Sequence, residues 1–179
     1  MLPEDPDNVR AMKEMHRYKC VTLTGRKRAR CTYTQGCNTS FQGLSSDCSK
    51  LAMWNMCKAG YQICNFIHDE TITLLPFDRN VTARAKHIET LMVESMRTLT
   101  PDVKVKAEPA LMFRWAKSAE PYFAGDILLP WEIVPRHEEK GMQVPTPWED
   151  IPSAKQREFL DLLEVLYDKA EVARNGRQP

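Results

Sequence analysis

The spacing of hydrophobic and polar positions changes several times along the chain, and each change predicts an element. Phe41, Leu44, Cys48, Leu51, Ala52 and Asn55 follow helical spacing, the repeat of one face of a helix. Asn38, Thr39 or Ser40 can cap this helix, and Gly60 closes it as a C-terminal glycine does. Tyr61 to Ile67 and Thr71 to Leu75 are β-rich, with His68, Asp69 and Glu70 between them. That pattern predicts a hairpin with those three polar residues at its tip. Beyond Pro76, the positions Val81, Ala85, Ile88, Met92, Ser95 and Leu99 mark an amphipathic helix that Pro101 stops. Val103 to Ala107 alternates strictly and reads as a strand with one wet face.

The two ends are less regular. Residues 1–9 hold two prolines and three acids and read as a loose lead-in, and residues 10–19 as a short basic helix. Val21 to Thr24 reads as a strand running into a turn at Gly25. Residues 108–152 are rich in proline and tryptophan with little periodicity, an irregular tail that must lie on something. Ser153 to Gln156 looks like a capping box, opening a last helix with Phe159, Leu162, Leu163, Leu166 and Ala170 on one side. Helix, strand, tip, strand, helix, strand in this order predict an α+β fold: an antiparallel sheet with packed helices, plus the irregular tail and C-terminal helix.

Composition adds limits. The 179 residues leave room for a real core, and 42% hydrophobic with 27% charged residues is ordinary for a globular protein. A net charge of +1 excludes a polycation. Locally, however, Arg10, Lys13, Arg17, Lys19, Arg26, Lys27, Arg28 and Arg30 face one acid, Glu14. Such a stretch suits a phosphate backbone as well as a solvated face. The six cysteines show no Cys-x-x-Cys or zinc spacing, which predicts free thiols and a reducing cytoplasm. The polar, acidic N-terminus has no signal-peptide pattern, and no apolar run is long enough for a membrane span, so no membrane partner is expected.

The chemistry concentrates at His68-Asp69-Glu70. Adjacent carboxylates on a tight turn repel one another, and a bound Mg²⁺, which takes one or two carboxylates together with substrate phosphates, relieves that repulsion. Read alone, the tripeptide is better explained by an exposed polar turn. His16, His87 and His137 have no partner pattern, Trp54 and Arg114-Trp115 read as packing residues, and Asp47 on its helix face reads as structural.

Three motifs in order resemble the C-terminal palm of the family A DNA polymerases, the DNA polymerase I type. Thr22-Leu23-Thr24-Gly25-Arg26-Lys27-Arg28 is similar to the family's Thr-Leu-x-Gly-Arg-Arg hairpin. Asn38-Thr-Ser-Phe-Gln42-Gly43, continuing to Asp47, is similar to the helix that lies directly before motif C, and His68-Asp69-Glu70 resembles motif C itself. The resemblance runs over about residues 10–125 and implies a division into a palm portion, 1–125, and a tail with a C-terminal helix, 126–179. It implies a palm-type antiparallel sheet, with Asp69 as a metal ligand, Glu70 beside it and more peripheral to the metals, and His68 near the primer 3′ terminus. Asn38 and Gln42 would contact the minor groove, whose acceptors are common to all base pairs, and Arg26 and Arg28 would hold backbone phosphate. Thr34 stands where the family often has an arginine, and the interval from Gln42 to His68 is a few residues shorter than in the bacterial enzymes.

No segment resembles motif A, whose Asp bridges both metal ions, or motif B, which binds the incoming triphosphate. The expectation is therefore a motif-C half of a DNA-directed DNA polymerase. It would use Mg²⁺, primer–template DNA and dNTPs together with a second chain carrying motifs A and B. Met1 is read as the start of one part of a split gene or of a truncated frame. The alternatives are a non-catalytic DNA-binding or structural remnant of such a polymerase and, with no further ligand in sight near Asp69, an unrelated small metal hydrolase.

Overall fold

The computed structural model describes Glu14 and residues 18–176. The expected lead-in, and the basic residues Arg10, Lys13 and Arg17 with His16, lie outside them. The described chain is α+β, with three long helices and four separate two-stranded antiparallel sheets. It divides into two compact units: residues up to Ile72 with Leu91–Lys106, and Thr73–Thr90 with the residues from Ala107 onward. No helix among the described residues is long and apolar enough to cross a membrane.

The first unit opens with strands β1, Tyr18–Val21, and β2, Lys27–Cys31. Tyr18 and Lys19 are therefore strand, not the end of a basic helix. The expected strand Val21–Thr24 is largely the turn itself. There the Thr22 N–H donates to Arg26 O at 2.9 Å, and the Gly25 N–H, at φ +84°, donates to Thr22 O at 2.9 Å.

Helix α1 spans Tyr33–Lys58. It starts a full turn and more before the expected caps because Thr32 and Gln35 form a reciprocal capping box. The Gln35 N–H donates to Thr32 Oγ1, and the Thr32 N–H to Gln35 Oε1, each at 3.2 Å. Asn38, Thr39 and Ser40 are interior helix residues. The C-terminus closes as expected. Gly60, at φ +87°, donates to Cys57 O and Tyr61 to Met56 O, both at 3.0 Å, the paired bonds of a Schellman motif. Thr39, Cys48, Ala52 and Met56 form the buried face of α1, whereas Phe41 is 77% exposed.

After α1 come β3, Gln62–Ile67, and β4, Glu70–Leu74, paired as a hairpin. Helix α2, Val81–Leu99, has the predicted bounds. Two polar residues of the predicted stripes, Asn55 and Ser95, answer one another: the Asn55 amide donates to Ser95 Oγ at 2.9 Å, which satisfies the buried hydroxyl. Residues 103–107 form no strand, and Val103 is 58% exposed. Alternation alone provides no partner strand for their backbone groups.

In the second unit, Val81, Tyr122, Ala124, Leu129, Val134, Leu163 and Tyr167 make one core, with Phe77, Leu111, Trp131 and Trp148 packed against it. The stretch expected to be irregular contains two small hairpins. Strands β5, Phe123–Ala124, and β6, Ile127–Leu128, turn at Gly125. Strands β7, Arg136–Glu139, and β8, Met142–Pro145, turn at Lys140-Gly141, where φ is +51° and +78°, the twist that two-residue hairpins favour. The Tyr122 hydroxyl donates to Thr146 O at 2.6 Å, which gives a buried phenol its partner.

Helix α3 spans Ser153–Asn175. The expected capping box does not form: Pro152 is the N-cap, without a side-chain bond, and the Gln156 amide donates to Trp148 O at 2.7 Å instead. Leu163 and Tyr167 are the buried residues of α3, and Leu162 is 46% exposed. Arg79 donates to Glu164 and Asp168 at 2.9 and 2.8 Å. Asp78 accepts from Arg84 at 2.6 Å and from Arg174 at 3.2 Å.

The β1–β2 turn is clasped onto α1. Asp47 accepts from the Arg26 guanidinium through both carboxylate oxygens and from the Thr24 hydroxyl. Thr22 Oγ1 lies 2.8 Å from Thr24 Oγ1 and accepts from the Arg26 N–H at 3.2 Å. Beneath this relay is Gly43, where an added Cβ would come within 2.9 Å of the Thr22 methyl. Thr22 is buried and its hydroxyl is committed, so it cannot easily turn away.

Two predictions follow from these contacts. Gly43→Ala, which in an open helix would stabilise by about 1 kcal/mol, is expected to destabilise by roughly 1 kcal/mol through overpacking. Adding Thr22→Ser, which removes the methyl and keeps the hydroxyl, is expected to restore the loss. Urea midpoints of the single and double variants test this, and a stabilised single variant would refute the close approach.

The second concerns acid. The Arg26 guanidinium, followed by the Thr24 hydroxyl, holds the Asp47 carboxyl below the usual carboxylate range, and Arg84 foremost does the same to Asp78. A carboxylate whose folded pKa is lowered contributes stability that is present above its unfolded value, about 3.9, and is lost as pH falls through the lowered folded value. Stability measured by urea at stepped pH should therefore fall below about pH 4. Asp47→Asn and Asp78→Asn should each be less stable at neutral pH and show a shallower acid limb.

Candidate functional site

The sequence-predicted site residues all belong to the first unit. The hairpin tip is a two-residue turn, His68-Asp69, and Glu70 is the first residue of β4 rather than part of the tip. The expected three-residue tip is thus one residue too long. The distinction matters chemically, because the strand now fixes the Glu70 backbone while Asp69 stands on the turn. His68 has φ +57°, a left-handed conformation uncommon for residues other than glycine. Strained positions of this kind persist where the surroundings hold them and cluster at functional sites.

His68, Asp69 and Glu70 are all exposed. Asp69 has no hydrogen-bond or ion-pair partner among the described residues. Its oxygens, with those of Glu70 next to it in sequence, are hard donors of the type that a Mg²⁺ ion takes. No cluster of three or more potential metal-ligating side chains occurs among the described residues. A mononuclear or binuclear site here would therefore draw further ligands from substrate, water or another chain. The hairpin itself is thinly covered: no residue of β3 or β4 is buried, and Leu74 is 59% exposed.

Helix α1 precedes this hairpin and packs against β3 as well as β1 and β2. Asn38 and Gln42 are both exposed and stand one helical turn apart, hence on one face. Helix packing does not engage either amide, which leaves both available to a ligand.

The two arginines expected to hold phosphate both have partners within the fold. Arg26 is held by Asp47, and Arg28 donates from Nη1 to the Thr39 hydroxyl at 3.0 Å, while Thr39 donates onward to Gln35 O at 2.6 Å. Both guanidinium groups brace the hairpin against α1. Asp47 has the structural task read for it. Among the described residues, Lys27 and Arg30 of β2 are exposed and have no such engagement; both belong to the basic stretch that suits a phosphate backbone. Nothing in the local pattern distinguished them, because the pairing that occupies Arg26 spans 21 residues.

Elsewhere, His137 Nδ1 lies 3.0 Å from Thr146 Oγ1, and Trp54 is 63% exposed, outside the core. Glu132 was not singled out, yet it accepts the backbone N–H groups of Phe113 and Arg114 at 2.9 Å. Burial pushes its carboxyl up, but these N–H bonds outweigh it and hold the group below the usual range.

Compared with protein-family models, curated proteins and solved structures, the chain matches none.

Proposed function

We propose that the chain is the motif-C portion of the palm of a family A DNA-directed DNA polymerase, acting with a second chain that supplies motifs A and B. The observation that carries this reading is an exposed, unengaged Asp69 on a two-residue turn, followed by Glu70, in the same compact unit as the exposed amides of Asn38 and Gln42. The order of elements supports it: basic hairpin, helix with Asn38 and Gln42, carboxylate hairpin, amphipathic helix.

In this reading Asp69, with Glu70 more peripheral, holds Mg²⁺, which supplies charge neutralisation at the transferring phosphate. His68 lies at the primer end. Asn38 and Gln42 test pairing geometry through minor-groove acceptors that all base pairs share. The β1–β2 hairpin holds backbone phosphate, which positions DNA without reading sequence. A two-stranded hairpin is marginal in isolation, so the uncovered β3–β4 pair fits a palm that is completed by strands of the partner chain. The free cysteines fit a reducing, cytoplasmic setting.

The chain alone is expected to show no template-dependent primer extension in Mg²⁺, and extension above that of Asp69→Ala would contradict the two-chain reading. An environment-sensitive apolar dye should bind the isolated chain and be displaced when the partner is added. With the partner supplied, Asp69→Ala is expected to abolish single-turnover incorporation while DNA affinity, measured in parallel, changes little. Glu70→Ala should cost less, and Gln42→Ala should slow extension mainly from a mismatched primer end. Near-normal incorporation by Asp69→Ala would remove the motif-C assignment. DNA binding without incorporation by any complex would instead favour a DNA-binding remnant.

A further inference from the structure

The β1–β2 hairpin contains an irregularity with a chemical consequence. Tyr18 faces Cys31, but Cys20 faces Arg28. Between these pairs β1 has one residue, Lys19, and β2 has two, Ala29 and Arg30, which defines a β-bulge on β2. Arg30 has φ +55°. It therefore occupies the left-handed position that glycine fills in one common class of bulge. An arginine there is strained where a glycine would not be, and burial does not hold it there, since Arg30 is exposed.

The neighbouring arginines differ in what holds them. Arg26 is neutralised by Asp47, and Arg28 is bonded to Thr39. Arg30 has no hydrogen-bond or ion-pair partner among the described residues. Bulges re-aim side chains, often beside functional sites, and this one turns a free guanidinium out of a strand that also exposes Lys27.

We propose that Arg30, set by the bulge, is the arginine of this hairpin that contacts a DNA backbone phosphate, with Arg26 and Arg28 holding the hairpin in place for it. The inference deepens the polymerase reading and rests on its assignment of primer–template DNA to this unit. It names a binding residue that the sequence motif did not. Arg26 and Arg28 match the motif, but their side chains are engaged within the fold.

The test uses the full chain and a fluorescein-labelled primer–template duplex, with anisotropy titrations over a range of NaCl concentrations. Each phosphate contact contributes about 0.9 to the slope of log affinity against log salt. Arg30→Gln should lower that slope by about 0.9, which corresponds to roughly tenfold weaker binding at about 0.1 M salt. Arg30→Lys should retain most of the slope. Arg30→Gly should lose it like the Gln variant while melting no lower than the parent, because glycine relieves the left-handed strain. Arg26→Gln should lower the melting temperature and change the slope less than Arg30→Gln does.

A wild-type slope for Arg30→Gln, or a larger loss for Arg26→Gln, overturns the inference and leaves the polymerase reading intact, since that reading stands on incorporation by the two-chain complex and its loss in Asp69→Ala. A folded wild-type chain that binds no duplex at low salt overturns the inference outright.

Discussion

The placement of the β1–β2 hairpin against α1 depends on the clasp of Asp47 over its turn. Arg26 and Asp47 are partly exposed, with 39% and 16% of their side-chain surface open, so the ion pair itself contributes modestly to stability. Its importance is geometric. Gly43 lets the Thr22 methyl approach the helix backbone more closely than any other residue type would permit, and the Thr22–Thr24–Asp47 relay directs each hydroxyl to one acceptor. A hairpin held at the turn by four polar groups and at its base by Arg28 on Thr39 has little freedom to slide along α1. The positions of β2's outward basic side chains relative to Asn38 and Gln42 follow from that constraint.

Much of the fold was legible where periodicity was long. Helix α2 shows its stripe at Val81, Ala85, Ile88, Met92, Ser95 and Leu99 and ends before Pro101, because many residues of one period outweigh any local ambiguity. The body and C-terminus of α1 were equally clear. Its start was not, although Thr32-x-x-Gln35 is a capping-box pattern; the later run Asn38-Thr39-Ser40 offered three competing caps. Residues 103–107 alternate like a strand but have no strand beside them. The small hairpins between Phe123 and Pro145 escaped detection for the opposite reason. Strands of two to four residues carry almost no period, and their turns rely on positive φ at Gly125, Lys140 and Gly141.

The candidate site shows the same division. Two apolar runs bracketing polar residues revealed the β3–β4 hairpin, but not that Glu70 belongs to the strand. The carboxylates were readable because they are contiguous. The engagement of Arg26 and Arg28 was not, because the partners, Asp47 and Thr39, are supplied by another element. The bulge at Arg30 was hidden for the same reason: it exists only in the register between two strands.

The Asn55–Ser95 bond has a consequence for alternative packings. Sliding α2 by one turn in either direction would bring Leu91 or Leu99 opposite the Asn55 amide, since both sit one turn from Ser95. Either slip would also withdraw Val81 from the second unit's core and Thr82 Oγ1 from the Leu128 N–H, which it accepts at 3.0 Å. The amide adds a discrimination of its own. In the slipped arrangements it would lose its partner, at a cost below the roughly 1–3 kcal/mol of a fully buried group because Asn55 is half-buried, while Ser95 would keep its bond to Leu91 O at 2.5 Å. A polar pair between two helices therefore acts as an index mark, reinforcing the alignment that the apolar contacts already hold.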